Sequence, residues 1–469
     1  MPVTSETAAA VVAAAGLCAL FATGRPDVSR AGVLAWAGGT LWLAAELLDS
    51  SLHRVGTQIA DHPAVGVGAL VVAGAALLAA ATAVYRMPWI FAVACVLAAP
   101  VRIPIHVGSD DARLLLPLYG VLAAGALATM YDVLRGAGTG PRVGPVPRAL
   151  AAMLALSAVS LLWAVDGHQG AVDMLFFYLP FGFMTVRISQ LGWSASGLRA
   201  AFVAQVGLAL VFAGVGLWQE AVHRVFWNPG VEASNAYRSF FRVNSLFWDA
   251  SVYGRFLAVT IVLLAGVAVY RGLTPPVAAA MAALAAGLYF TYSQSSFLAL
   301  AAGAFAIGAG VWPWRVTAAV LAAGAVAFAG LLAYEVAGSS ANRASGGRSH
   351  LVELGWRAIR EHPVLGAGLG GFAKAAVAGT EHPYRLKGAA SHTTPVTVLA
   401  ELGPLGAAAY GWLLAALAWA GAAGRRAPAV SRTLLAALVA IFASSLFYNS
   451  FFEDPTVWLI AGLLCVVYE

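Results

Sequence analysis

Apolar runs of about 17 to 23 residues recur from one end of this chain to the other, each close to the ~20 residues that cross a bilayer's hydrocarbon core. They fall near 7–23, 31–48, 64–85, 88–105, 113–134, 148–164, 171–190, 197–219, 251–271, 274–292, 295–312, 315–334, 394–422, 432–450 and 455–468. None carries the apolar/polar alternation of a transmembrane barrel. The 469 residues are 61% hydrophobic and 10% charged, against roughly 45–50% and 25% in soluble domains. The expected fold is therefore all-α: one integral membrane domain over 1–469 with about 12–15 transmembrane helices. Short runs such as 88–105 and 455–468 are also compatible with re-entrant segments. No charged n-region precedes 7–23, so this run is expected to stay as the first helix.

Charge placement orients the helices. Arg25, Arg30, Arg86, Arg135, Arg142, Arg148, Arg187, Arg199, Arg271, Arg315, Arg425, Arg426 and Arg432 fall in alternate, mostly short connections, with few acids beside Asp27 and Asp132. The positive-inside rule makes those connections cytoplasmic. The two longest loops, 220–250 and 335–393, are then extracytoplasmic, with helices 394–469 closing the chain. The net charge of +6 suits membrane lipids and phosphates, whereas no soluble basic domain exists to hold nucleic acid. Cys18, Cys95 and Cys465 each sit in an apolar run, where a free Cys behaves as a small hydrophobe.

Three polar blocks interrupt this pattern. In RVNSLFWDASVYGR (242–255), Arg242 and Arg255 flank the entry of an outward loop into a helix, with Arg238 just before. The planar guanidinium binds two oxygens of a pyrophosphate at once, although arginines at such an entry also reach lipid head groups. The second block starts at Arg348. Leu351, Leu354, Trp356 and Ile359 lie at helical spacing against Arg357 and Arg360, as in an amphipathic surface helix. His362-Pro363 ends it, and Gly366, Gly368, Gly370 and Gly371 follow, where backbone N–H groups could approach an anion or simply turn the chain. The third is SHTTPVTVLAELG (391–403): His392 at the mouth of a helix is a group able to take a proton near neutral pH. Glu401, inside the span, is a functional candidate by default and could equally orient an arginine or brace the loop.

No HExxH, CxxC or DxD occurs, so a metal is not expected. Asp110-Asp111 and Glu453-Asp454 are the nearest acidic pairs.

Together these blocks resemble the O-antigen ligase/polymerase family of bacterial envelope glycosyltransferases. The likeness rests on RVNSLFWDASVYGRFLA, on Arg348…Trp356…HPVLGAGLGGF, on His392-Thr393…Glu401-x-Gly403-x-x-Gly406, and on the Ser160-x-x-Trp163-x-x-Asp166 turn. It covers residues 155 to about 460. Two departures stand out: Ser293-Gln294-Ser295-Ser296 replaces a Ser-Arg-Ser/Gly corner, and Thr393 replaces an Asn after the histidine. The resemblance implies a GT-C-like, inverting, metal-independent transferase of the cytoplasmic membrane that needs no cofactor. Its donor would be an undecaprenyl-pyrophosphate-linked glycan and its acceptor a glycan, lipid or wall component, met on the extracytoplasmic side. His392 and Glu401 would be catalytic; Arg242, Arg348, Arg238, Arg255 and Arg357 would hold pyrophosphate or glycan. Two alternatives remain at this level: a glycan transporter or flippase, and a metal-dependent polyprenyl-phosphate sugar transferase built on Asp110 and Asp111.

Overall fold

The computed structural model describes residues 4–22, 25–107, 110–136, 144–226, 228–237, 239–320, 322–324, 348–377, 391 and 393–468, and for some of these, 104–113 and 348–352 included, the backbone alone. The architecture is an all-α polytopic bundle. Nine of the described helices are long and apolar enough to cross a membrane.

The chain starts with α1 (Ser5–Ala22), α2 (Pro26–Asp61), α3 (Pro63–Arg86) and the short α4 (Trp89–Ala98). The run 88–105 does not continue as helix: after α4 the backbone forms an antiparallel hairpin, β1 (Ile103–Val107) with β2 (Asp110–Leu114), in which Val107 pairs with Asp110. Pro100 and Pro104 lack the N–H groups that a continuing helix would use. Then come α5 (Leu116–Leu134), α6 (Pro145–Ser160), α7 (Gly167–Asp173), a π-helical turn at Met174–Tyr178 and α8 (Leu179–Ser189). Pro180 accounts for a break in the backbone ladder here. With no N–H at Pro180, the Phe176 carbonyl loses its helical donor, and the Tyr119 hydroxyl donates to it at 2.9 Å.

Next are α9 (Ala195–Val222), α10 (Pro229–Ala236), α11 (Ala250–Arg271), α12 (Pro275–Tyr289), α13 (Gln294–Ala309), α14 (Arg348–Glu361), α15 (Phe372–Val377), α16 (Thr394–Ala423), α17 (Pro428–Ser445) and α18 (Pro455–Tyr468). Small residues line close seams, as where Ala9, Ala13 and Ala14 of α1 are buried. Trp458 of α18 is 1% exposed, and the Thr185 hydroxyl of α8 donates to its carbonyl at 2.8 Å. By contrast α3 exposes Val65, Val67, Leu70, Val71 and Val72, as a lipid-facing helix should.

Successive helices reverse direction, giving the bundle two ends. One end gathers the hairpin, the turn 161–166, the loop 223–249, the corner 290–293, residues 362–371 and the loop 446–454. Hydrogen bonds between distant segments fix it: Val165 N–H to Ala367 O at 2.8 Å, Val243 N–H to Phe290 O at 3.1 Å, and Phe451 N–H to Thr394 Oγ1 at 3.4 Å. The other end gathers the short connections that carry Arg86, Arg135, Arg271, Arg425 and Arg426.

Candidate functional site

The glycine-rich block is built around a broken helix. In α16, Gly403 takes φ 64°, ψ −166°, and Pro404 follows it. Pro404 cannot donate to Ala400 O, and the kink removes the partner of Glu401 O, so two carbonyls inside a bundle helix need new donors. The loop after α14 supplies them: Ala367 N–H reaches Ala400 O and Gly368 N–H reaches Glu401 O, both at 2.8 Å. Gly366, Gly368 and Gly370 stand at φ +72°, +79° and +74°, the left-handed region that favours glycine. A Cβ on Gly366 would collide with the Glu401 carbonyl, and one on Gly368 with the backbone of Ala164. The glycines thus allow backbone to meet backbone.

The anion these N–H groups approach is the protein's own. Phe372 N–H donates to Glu401 Oε1 at 3.3 Å, and Gly370 N–H faces the same carboxylate. Glu401 therefore braces the loop, one of the two roles its sequence position allowed. The Ser160–Asp166 turn closes the joint from the other side. Ser160 Oγ accepts from Leu369 N–H at 3.0 Å, Trp163 Nε1 donates to Leu365 O at 3.2 Å, and Asp166 pairs with Lys374 Nζ at 2.9 Å while capping α7 through Gln169 N–H. Helix α14 joins this assembly: Leu354 and Ala358 are buried with Ala367, Phe372 and Ala400. An amphipathic helix on the membrane surface was expected here; instead part of its apolar face packs on protein, while Trp356 stays 48% exposed.

Arg242 occupies a second joint. Its Nε donates to Thr291 O at 2.8 Å and its Nη2 to Ser251 Oγ at 3.0 Å, while Asn235 holds its backbone through a reciprocal pair of 3.0 Å bonds. A guanidinium thus stands at the 290–293 corner, beside the place where the expected Ser-Arg-Ser/Gly arginine is missing. One turn along α11 from Ser251, Arg255 is 5% exposed. It is ion-paired with Asp454 at 3.0 Å, bonded to Ser450 Oγ, and lies over the Tyr448 ring. Neither lipid head groups nor solvent reach it freely, so its charge is already matched.

Glu453, next to Asp454, links this joint to the first electrostatically. Its carboxyl is held above the usual carboxylate range by burial, with Arg102 and Arg255 pulling it down. Asp173 of α7 and Glu401 of α16 both feel its charge. A cavity of about 30 Å³ lies between Arg102, Arg255, Asp454 and Thr456.

Of the residues expected from sequence, Arg242, Arg255 and Glu401 are thereby brought to one end of the bundle. Arg357 is half-buried on α14. Arg348 begins α14, its side chain undescribed; Arg238 and His392 lie outside the described residues. The flanks of His392 are nevertheless fixed, since Ser391 Oγ bonds Thr393 O and Thr397 Oγ1, each at 2.7 Å. Sequence reasoning missed Arg102, Asp173 and Asn235. Only Asp173 carried a signal, being an acid in an apolar run.

Among the described residues no group of three or more His, Cys, Asp or Glu side chains has a metal-holding arrangement; the side chains of Asp110 and Asp111 fall outside that description. No curated protein matches the chain. Residues 279–411, which include the 290–293 corner, α14, the glycine loop and the broken helix, match the family model described as O-antigen ligase, and in that segment the chain is similar to that family.

Proposed function

We propose that this membrane glycan ligase or polymerase takes its glycan from an undecaprenyl-pyrophosphate donor, on the extracytoplasmic side, with inversion and without a metal. The observation that carries this reading is the meeting of the Arg242, glycine-loop and Glu401 blocks at one end of the bundle, within and beside the family-matched segment. The arginine-rich connections lie at the other end, which the charge bias makes cytoplasmic.

In the proposed step the acceptor hydroxyl oxygen attacks the anomeric carbon from the face opposite the pyrophosphate. The new C–O bond forms as the bond to the pyrophosphate oxygen breaks, and His392 takes the hydroxyl proton. The leaving group is a stable anion, so arginine electrostatics contribute more than a general acid. Arg242 and Arg348 are assigned to the pyrophosphate. Glu401 acts as a positioning residue, holding the loop between α14 and α15 against α16, the helix that follows His392 in sequence.

The test is reconstitution of the purified chain in phospholipid vesicles with an undecaprenyl-pyrophosphate-linked glycan and candidate acceptors. Formation of a glycosidic bond of inverted configuration, undiminished by EDTA, is expected. Retained configuration, or loss of transfer with chelator, would overturn the inverting, metal-free step.

A further inference from the structure

A second cavity, of about 430 Å³, lies between α9, α11, α17 and α18; it meets the first at Val259 and Thr456 and runs from there toward the arginine-rich end. Its walls are almost wholly apolar: Leu198, Phe202, Leu263, Val267, Leu459 and Leu463 are among them, and no Asp or Glu lines it. Its volume is that of a small-molecule site. Along α11 it extends from Val259 to Arg271, twelve residues or about 18 Å of helix. That is close to the ~15 Å depth of one leaflet's hydrocarbon.

The only cations among its lining residues are Arg199 and Arg271, both exposed and both at the arginine-rich end of the bundle. Trp193, 37% exposed, stands at the same mouth, where an amphipathic ring suits a membrane interface. Val203, 60% exposed on the flank, shows that the slot also opens sideways toward lipid. A cationic, aromatic mouth over a leaflet-deep apolar slot matches an amphiphile with an anionic head and a long hydrocarbon tail.

We infer that this cavity is a binding site for an anionic glycerophospholipid of the cytoplasmic leaflet, with one acyl chain between α9, α11 and α18 and the phosphate held by Arg199 and Arg271. The polarity of the slot decides against the glycan donor's own hydrocarbon chain. A donor chain descending from the opposite end would leave the two arginines without an anion, whereas a leaflet phospholipid satisfies both ends. The inference is independent of the transfer chemistry, and its readout is binding alone.

The experiment is native mass spectrometry of the full chain in mild detergent, titrated in parallel with dioleoyl phosphatidylglycerol, dioleoyl phosphatidylcholine and undecaprenyl phosphate. Three proteins are compared: wild type, Arg199→Gln/Arg271→Gln, and Leu263→Trp, which fills the slot. Thermal melts of the lipid-free proteins check that each is folded, and Val203→Trp on the open flank provides a second filled variant should Leu263→Trp fail that check. Wild type should bind phosphatidylglycerol at least tenfold more tightly than phosphatidylcholine. The double variant should lose that preference, and a filled variant should bind neither. Equal retention of the two phospholipids by wild type, phosphatidylglycerol binding unchanged in the variants, or undecaprenyl phosphate displacing phosphatidylglycerol regardless of the arginines would each overturn the assignment.

Discussion

Gly368→Ala separates a packing joint from an anion cradle. At φ +79° an alanine is strained, at about 1–3 kcal/mol, and its Cβ would collide with the Ala164 backbone, which no side-chain rotation relieves. The turn 161–166 and the loop must then separate, which loosens the bonds from Gly368 N–H to Glu401 O and from Val165 N–H to Ala367 O, at about 1 kcal/mol each. The expected loss of stability is about 3–5 kcal/mol, read as a clear fall in melting temperature of the detergent-solubilised protein. Gly207→Ala is the control: nothing lies within 4 Å of a Cβ there, and in the interior of α9 the change should be neutral or stabilising by up to about 1 kcal/mol. Were the loop a phosphate cradle, Gly368→Ala would weaken donor binding at an unchanged melting temperature. A Gly368→Ala protein as stable as wild type refutes the joint.

Other consequences are as direct. Arg242→Ala should lower glycan transfer by roughly two to three decades, with Lys a poor substitute because a point charge cannot reproduce a bidentate contact; unchanged turnover removes it from the site. Arg255→Ala should cost stability rather than act selectively on turnover, by about 3–5 kcal/mol, because Asp454 would remain as an unpaired, largely buried charge; a melt equal to wild type contradicts the pairing. Burial holds the Glu453 carboxyl above its ordinary 4.5, so the folded state binds more protons than the unfolded one. Its contribution is complete below 4.5 and declines as pH rises through the folded value, and Glu453→Gln should therefore flatten the fall in melting temperature as pH rises above about 4.5. In intact cells Tyr237→Cys, at a position 91% exposed, should react with an impermeant thiol reagent while Leu273→Cys, at one 64% exposed, should not; the reverse pattern inverts the topology.

The helical architecture was legible because burial in lipid leaves long apolar runs that composition alone exposes. The breaks in those runs were not. Nothing in 88–105 as a hydropathy pattern distinguishes a ten-residue helix followed by a hairpin from one full span, although Pro100 and Pro104 stand in that run. At the site, the Ser160, Trp163, Asp166, Gly366 and Glu401 blocks were visible as separate motifs. Their partnership was hidden because it runs through backbone carbonyls freed at Pro404, and backbone groups leave no trace in residue identity. Arg255 read as a pyrophosphate ligand for a similar reason: its match to Asp454, nearly two hundred residues away, depends on helix packing. Arg102, at the foot of the hairpin, belongs to no motif at all.

The most direct test of the account is transfer by His392→Ala. Donor-dependent transfer from an undecaprenyl-pyrophosphate-linked glycan should fall by about 10²–10⁴ in that variant, with donor binding nearly intact because Arg242 and Arg348 remain. Wild-type levels of transfer by His392→Ala would remove the general base from the mechanism and contradict the account.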